Sequence, residues 1–159
     1  MTHPTRSLYA IDPDSQKVRL VVQVTPDGWS EDELEQLFAG LVPVLGSAGI
    51  SIAIVMSAES AFIVRFDEKS NHFDIDEVEP AEVVGPYELD ADPAKLFDTV
   101  SKWFHEVAKH WQDFVPQTTL PKRVPEIVPL IVGAKLRDRD GSIGIPNEQI
   151  TRPVERKVD

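Results

Sequence analysis

The order of apolar and polar positions near the start of the chain predicts a pair of strands. Residues 8–11 and 18–24 are rich in β-branched and other apolar side chains. Between them, residues 12–15 read Asp-Pro-Asp-Ser, in which proline presets φ and the aspartates can bond the local backbone. This pattern is typical of a β-hairpin.

A helix is predicted next, because a helix start signal precedes apolar residues at helical spacing. Ser30 and Glu33 fit a capping box, in which each side chain accepts a hydrogen bond from the other residue's backbone. Pro43 is expected to bend or thin the last turn, since proline removes a backbone donor. Gly46 or Gly49 is expected to end the helix.

Three further apolar segments predict a β-meander. Residues 50–56 are apolar except for Ser51, which favours a strand buried on both faces. Residues 61–66 form the second predicted strand. Residues 72–78 alternate between apolar and acidic positions, as in a strand with one face in water.

The second predicted helix is the longest element of the chain. Pro93 suits the first helical position, and Pro116 is expected to end the helix. Between them, large apolar side chains recur every three or four residues, among them Leu96, Val100, Trp103 and Val107. These elements together predict an α+β fold, with a small antiparallel sheet (hairpin plus three-stranded meander) packed by two helices on one face.

The last part of the chain has a different texture. Prolines recur every four or five residues, at positions 116, 121, 125 and 129, which disfavours helix and central strand. We therefore divide the chain into an acidic α+β head (residues 1–114) and an extended, proline-rich C-terminal arm (residues 115–159). Within the arm we expect one short edge strand over 127–132 and a turn at 137–142. Deleting residues 116–159 is expected to leave a folded monomer.

Charge follows the same division. The head carries 21 acidic and 8 basic residues, whereas the arm carries 6 acidic and 8 basic residues. The overall net charge of -11 disfavours nucleic acid and anionic membranes and favours a basic partner. The absence of cysteine excludes disulfides, thiol catalysis and cysteine-ligated metals. With no signal-peptide pattern or transmembrane segment, the expected location is cytoplasmic.

Acidic residues are concentrated within residues 67–92, where ten of them accompany a single lysine. A solvated rim explains such a cluster, and so does a docking surface for a basic protein. The residues that we assign to partner binding are Asp74, Asp76, Glu77, Glu79 and Glu82.

The arm supplies a second set of candidate contacts. Its apolar residues are costly to leave in water, and proline-limited extended chain suits strand addition or binding in a groove. The arm residues that we assign to partner or subunit contact are Ile127, Val128, Leu130, Ile131 and Val132.

Two alternatives of other classes stay open. Asp74, Asp76 and Glu79 with a histidine could serve a small metal-dependent hydrolase, although the spacing of a calcium loop is missing. The aromatic stripe of the second helix, with Trp103 and Trp111, could line a small-ligand pocket, although such stripes are more often core.

The sequence therefore predicts a non-catalytic interaction protein without a cofactor. Its expected partner is a protein with a basic surface, another copy of itself, or both. By size and charge, it could be a subunit of a phage or an injection or secretion assembly. An acidic binder of the inhibitor, immunity or chaperone type is the other form of this hypothesis.

Overall fold

The computed structural model describes residues 4–67, 69–70, 72–84, 92–114 and 124–141. In this part of the chain the strands are β1 (Arg6–Ile11), β2 (Val18–Val24), β3 (Ile52–Met56), β4 (Ala61–Asp67), β5 (His72–Val78) and β6 (Lys135–Asp140). The helices are α1 (Glu31–Ala48), α2 (Leu96–Phe114) and α3 (Val124–Ile131), with short 3-10 turns at Pro80–Glu82 and Pro93–Lys95. The predicted α+β class is confirmed.

All six strands form one sheet in the order β5-β4-β3-β2-β1-β6. The pair β2–β3 is parallel and every other pair is antiparallel, so the sheet is mixed. The expectation of an antiparallel sheet was wrong at this one pairing. Its cause is α1, whose 18 residues connect β2 to β3 and give the chain enough length to cross over before pairing in parallel.

Hydrophobic cores lie on both faces of the sheet. On one face, which we call the α1 face, Leu41 and Leu45 of α1 pack against strand residues such as Val21. On the other, the α2 face, Trp103 of α2 and Ile127 of α3 pack against the alternate strand residues. The predicted arrangement of two helices on one face is therefore corrected. Central strands that are apolar at every position need cover on both sides.

Local signals set the ends of α1. The Ser30 hydroxyl accepts a hydrogen bond from the Glu33 N–H at 3.2 Å, and the Glu33 carboxylate accepts one from the Ser30 N–H at 2.7 Å. This confirms the predicted capping box. The helix continues past Pro43 and ends before Gly49, whose φ of 70° is the left-handed conformation that glycine adopts without strain.

Part of the predicted arm folds onto the rest of the chain. Residues 124–131 form α3, and β6 pairs with β1 along its whole length. For these residues the structure corrects three expectations: an extended chain, an edge strand over 127–132 and a turn at 137–142. Pro125 lies in the first turn of α3, where its missing N–H costs little, and burial of Ile127 and Ile131 offsets the cost of Pro129. The rest of the arm, 115–123 and 142–159, lies outside the described residues, and the division into head and arm stays a prediction.

Among the described residues, none of the helices has the length and apolar character that a membrane span requires.

Candidate functional site

Strand β5 forms one edge of the sheet and carries the predicted acidic residues. Within the described part of the chain, its strand neighbour is β4 alone. Three of the acidic residues lie on β5 and two lie just after it, in and beside the 3-10 turn at Pro80–Glu82. We call this surface the acidic edge; it comprises Asp74, Asp76, Glu77, Glu79 and Glu82. The structure therefore brings together all five residues that the sequence assigned to a basic partner.

The pairing of β5 with β4 determines which way each side chain projects. Asp74 pairs with Arg65 and Asp76 pairs with Ile63, a residue of the core on the α2 face. Directly paired residues of antiparallel strands project to the same face, so both aspartates lie on the α2 side. Ile75 pairs with Val64, which belongs to the core on the α1 face, and so projects to the opposite side.

One arginine partly neutralises the acidic edge. An Arg65 Nη1 atom lies 3.2 Å from Asp74 Oδ2 and 3.9 Å from Asp76 Oδ2. The Asp74 side chain is still 64% exposed and that of Asp76 is 36% exposed. Residues 72–82 contain five acidic residues and no lysine or arginine, so the surface keeps a strong negative charge. A cation that approaches from solvent can reach both carboxylates.

An apolar strip accompanies these charges. Ile75 is 43% exposed and, with Val132, is one of two large apolar side chains that are exposed among the residues whose burial is described. Its neighbour Phe73 is half-buried and stacks on Phe66, with 4.5 Å between ring centroids. Phe73 is therefore held in place by the core, while Ile75 leaves apolar area exposed to solvent.

The end of the acidic edge has its own internal contact. The carboxylate of Glu82 accepts a hydrogen bond from the backbone N–H of Glu79 at 2.9 Å. This bond holds the turn that follows β5, and the Glu79 side chain remains exposed. Glu82 thus contributes charge and local structure, whereas Glu79 extends the negative surface into solvent.

The predicted contact residues of the arm lie elsewhere. Ile127, Val128 and Ile131 are buried in the core on the α2 face, and Leu130 packs partly against it. Val132, at 39% exposure, is the member of this set with substantial open surface. Buried side chains have no area to offer a partner. The assignment to an outward contact is therefore corrected for Ile127, Val128 and Ile131, which anchor α3 on the sheet, and it stays a prediction for Leu130 and Val132.

Sequence reasoning missed a groove beside the first half of α1. It encloses about 460 Å³ and is lined by Thr5, Gln23, Thr25, Gly28, Trp29, Glu33, Gln36, Leu37, Gly40 and Leu41. The buried amide of Gln23 donates to the Thr25 hydroxyl at 3.3 Å, and the Thr5 and Thr25 hydroxyl oxygens are 3.2 Å apart. A signal was present in the sequence, since Gln23 is a polar residue inside an otherwise apolar run. The lining can hydrogen-bond a polar ligand, and its one charged group, Glu33, disfavours anions.

The two alternative chemistries find little geometric support. Within the described residues, no three His, Cys, Asp or Glu side chains are grouped so that they could hold a metal ion. Asp74, Asp76 and Glu79 are therefore not gathered as a metal-dependent hydrolase would require. Trp103 is fully buried and packs edge-on against Phe104, with centroids 4.9 Å apart. It belongs to a packed core, whereas the side chain of Trp111 lies outside the described part.

One buried tyrosine lies on the α1 face near the opposite edge. Burial raises the pKa of Tyr9 above 10.0, while the nearby Arg139 charge and the Ser7 hydroxyl act in the opposite direction. The neutral form of Tyr9 is therefore favoured over the physiological range.

Comparisons with models of protein families, with curated proteins and with solved structures found no match to this chain. Its function must therefore be inferred from its own residues.

Proposed function

We propose that this chain is a non-catalytic interaction protein that binds a protein with a basic surface through the acidic edge. The observation that carries the proposal is that β5, which ends the described sheet, exposes Ile75 on one face and Asp74 and Asp76 on the other. Exposed apolar area supplies binding energy by leaving water, and the flanking carboxylates select a positively charged partner.

Long-range electrostatics support the same partner. The net charge of -11 attracts a basic protein before contact and repels polyanions such as nucleic acid and anionic lipid surfaces. Such attraction acts mainly on the rate of association and weakens as salt is added, because the Debye length falls to about 8 Å at physiological ionic strength. Binding through the acidic edge should therefore weaken steeply with salt.

A paired set of charge variants tests the proposal. Asp74→Asn with Asp76→Asn removes two charges from the acidic edge, whereas Glu35→Gln with Glu59→Gln removes two exposed charges elsewhere. Both variants and the parent protein would be used to capture partners from an extract of the source cell, with quantification by mass spectrometry. Circular dichroism would first establish that both variants are folded.

The expected result is a basic protein that the parent and the Glu35/Glu59 variant retain and that the Asp74/Asp76 variant loses. Its retention should fall as salt is raised. If all three proteins retain the same partners equally, or if the lost partners are not basic, the acidic edge is not the binding surface and the proposal fails.

A further inference from the structure

We propose that the partner binds as an additional strand along the outer edge of β5, and that the added segment alternates basic with apolar residues. This inference rests on the proposed function and deepens it, because it states the conformation and the sequence pattern of the segment that is recognised. Three features of β5 carry it: its position in the sheet, the directions of its side chains and its charge.

The position of β5 leaves main-chain groups available. All seven of its residues pair with β4, from His72 opposite Asp67 to Val78 opposite Ala61. In such a ladder every second residue of an edge strand directs its N–H and C=O away from the neighbouring strand. The described residues place no strand on that outer side. An extended segment could therefore continue the ladder.

The side chains of β5 determine the pattern of the added segment. A residue directly opposite another on the neighbouring strand lies on the same face, with Cβ atoms about 5 Å apart. Residues opposite Asp74 and Asp76 would lie on the α2 face, where a basic side chain is favoured. Residues opposite Phe73 and Ile75 would lie on the α1 face, where an apolar side chain would cover them. The matching segment therefore alternates basic and apolar residues.

In the three registers with the longest overlap, a second copy of β5 does not meet this requirement. Two identical antiparallel strands related by a two-fold axis place residues of the same face opposite each other. The register centred on Ile75 would set Asp74 against Asp76, and those centred on either aspartate would set it against its own copy. Like charges directly opposite each other are destabilising. The net charge of -11 on each copy adds further repulsion, which favours a separate basic partner.

The opposite edge of the sheet presents a different surface. On β6, Arg137 and Arg139 pair with Tyr9 and Ser7 of β1 and so share the α1 face. Asp138 and Asp140 project to the other side, where Arg6 Nη2 lies 2.8 Å from Asp138 and Arg6 Nε lies 3.4 Å from Asp140. The acidic groups of β6 lie beside Arg6, much as Asp74 and Asp76 lie beside Arg65. The difference is that β6 also carries the half-buried Arg137 and Arg139 on its α1 face, whereas β5 contains no lysine or arginine. A basic segment should select β5.

Synthetic peptides of the length of β5 provide the test. The first alternates lysine with valine, and the second has the same composition with the lysines in one block and the valines in another. Two further peptides have the alternating sequence with N-methylated backbone amides. One is methylated at the odd-numbered residues and the other at the even-numbered residues. Calorimetry measures affinity, and amide hydrogen exchange followed by NMR locates the bound peptide on the protein.

The alternating peptide is expected to bind several-fold more tightly than the block peptide and to slow exchange of outward-facing amides in β5. One N-methyl isomer should bind and the other should not, because only one set of amides faces β5 in a ladder. Asp74→Asn with Asp76→Asn, and separately Ile75→Thr, should weaken binding several-fold, whereas Glu35→Gln with Glu59→Gln should not.

Other outcomes overturn the inference in distinguishable ways. If the block peptide and both N-methyl isomers bind as well as the alternating peptide, docking uses charge alone; strand addition is then wrong while the proposed function stands. If no peptide binds, strand addition is wrong and the capture experiment decides the proposed function. If the parent self-associates on concentration and this association slows exchange of the outward-facing amides in β5, the occupant is a second copy, and the separate partner is wrong.

Discussion

Replacement of Ile131 by alanine tests whether α3 belongs to the core. Ile131 is 0% exposed and packs in the core on the α2 face, together with Ile127 and Trp103. The substitution removes three carbon atoms and leaves a cavity that the surrounding sheet and α2 can fill only in part. Comparable replacements of buried isoleucine by alanine cost about 2–5 kcal/mol, and we expect about 3 kcal/mol here.

The adjacent residue gives a matched control. Val132 lies one position along the chain and is 39% exposed. Val132→Ala should change the free energy of unfolding by less than about 0.5 kcal/mol, as surface substitutions generally do. The two substituted residues are adjacent in the chain and differ in how deeply their side chains are buried.

Urea denaturation, followed by tryptophan fluorescence and circular dichroism, measures both effects. With a urea slope of about 2 kcal/mol per molar, a loss of 3 kcal/mol lowers the midpoint by about 1.5 M. If Ile131→Ala and Val132→Ala shift the midpoint by the same small amount, α3 is not part of the core. The reasoning that places the arm on the sheet would then be refuted, and deletion of residues 116–159 would again be expected to leave a folded monomer.

Three further predictions concern local features. Gly40→Ala should stabilise the protein by about 1 kcal/mol in thermal or urea unfolding, because a Cβ at Gly40 meets no atom within 4 Å and alanine favours helix. Ser30→Ala should cost about 1 kcal/mol through loss of the cap on α1, measured in the same way. Hydrogen bonds from Arg19 and from two backbone N–H groups lower the pKa of Asp12 from 3.8. The stabilisation that ionised Asp12 gives the folded protein is therefore present above pH 3.8 and is lost as the pH falls through the folded-state pKa. Asp12→Asn should flatten the acid limb of a plot of the free energy of unfolding against pH.

The elements with local signals were predicted closely. The capping box fixes the start of α1, and the predicted strand over 18–24 matches β2 residue for residue. Residues 72–78 likewise match β5, because the alternation of apolar and acidic positions reports a half-exposed strand directly. Such features are determined by residues that are close together in the chain, so they can be predicted from a single sequence.

The features that were missed depend on distant residues. The parallel pairing of β2 with β3 follows from the path of α1, which periodicity does not reveal. Residues 135–140 have five charged positions and one leucine, so their sequence favours a turn; pairing with β1 makes them a strand. Helix α3 contains Pro125 and Pro129, and it forms because its isoleucines fill a core built by other elements. Tertiary contacts outweighed local propensity in each case.

The topology also explains how a bias of charge along the sequence becomes a difference between two edges of one sheet. Because α1 carries the chain across before β3, the meander grows away from the hairpin and leaves β5 at the far edge. Strand β6 returns from the basic part of the chain to the other edge, beside β1. One edge is therefore acidic with an exposed apolar residue, and the other carries basic residues on one face. Our proposal that a basic strand adds at β5 rests on this difference between the edges, and the peptide and charge-variant experiments test it.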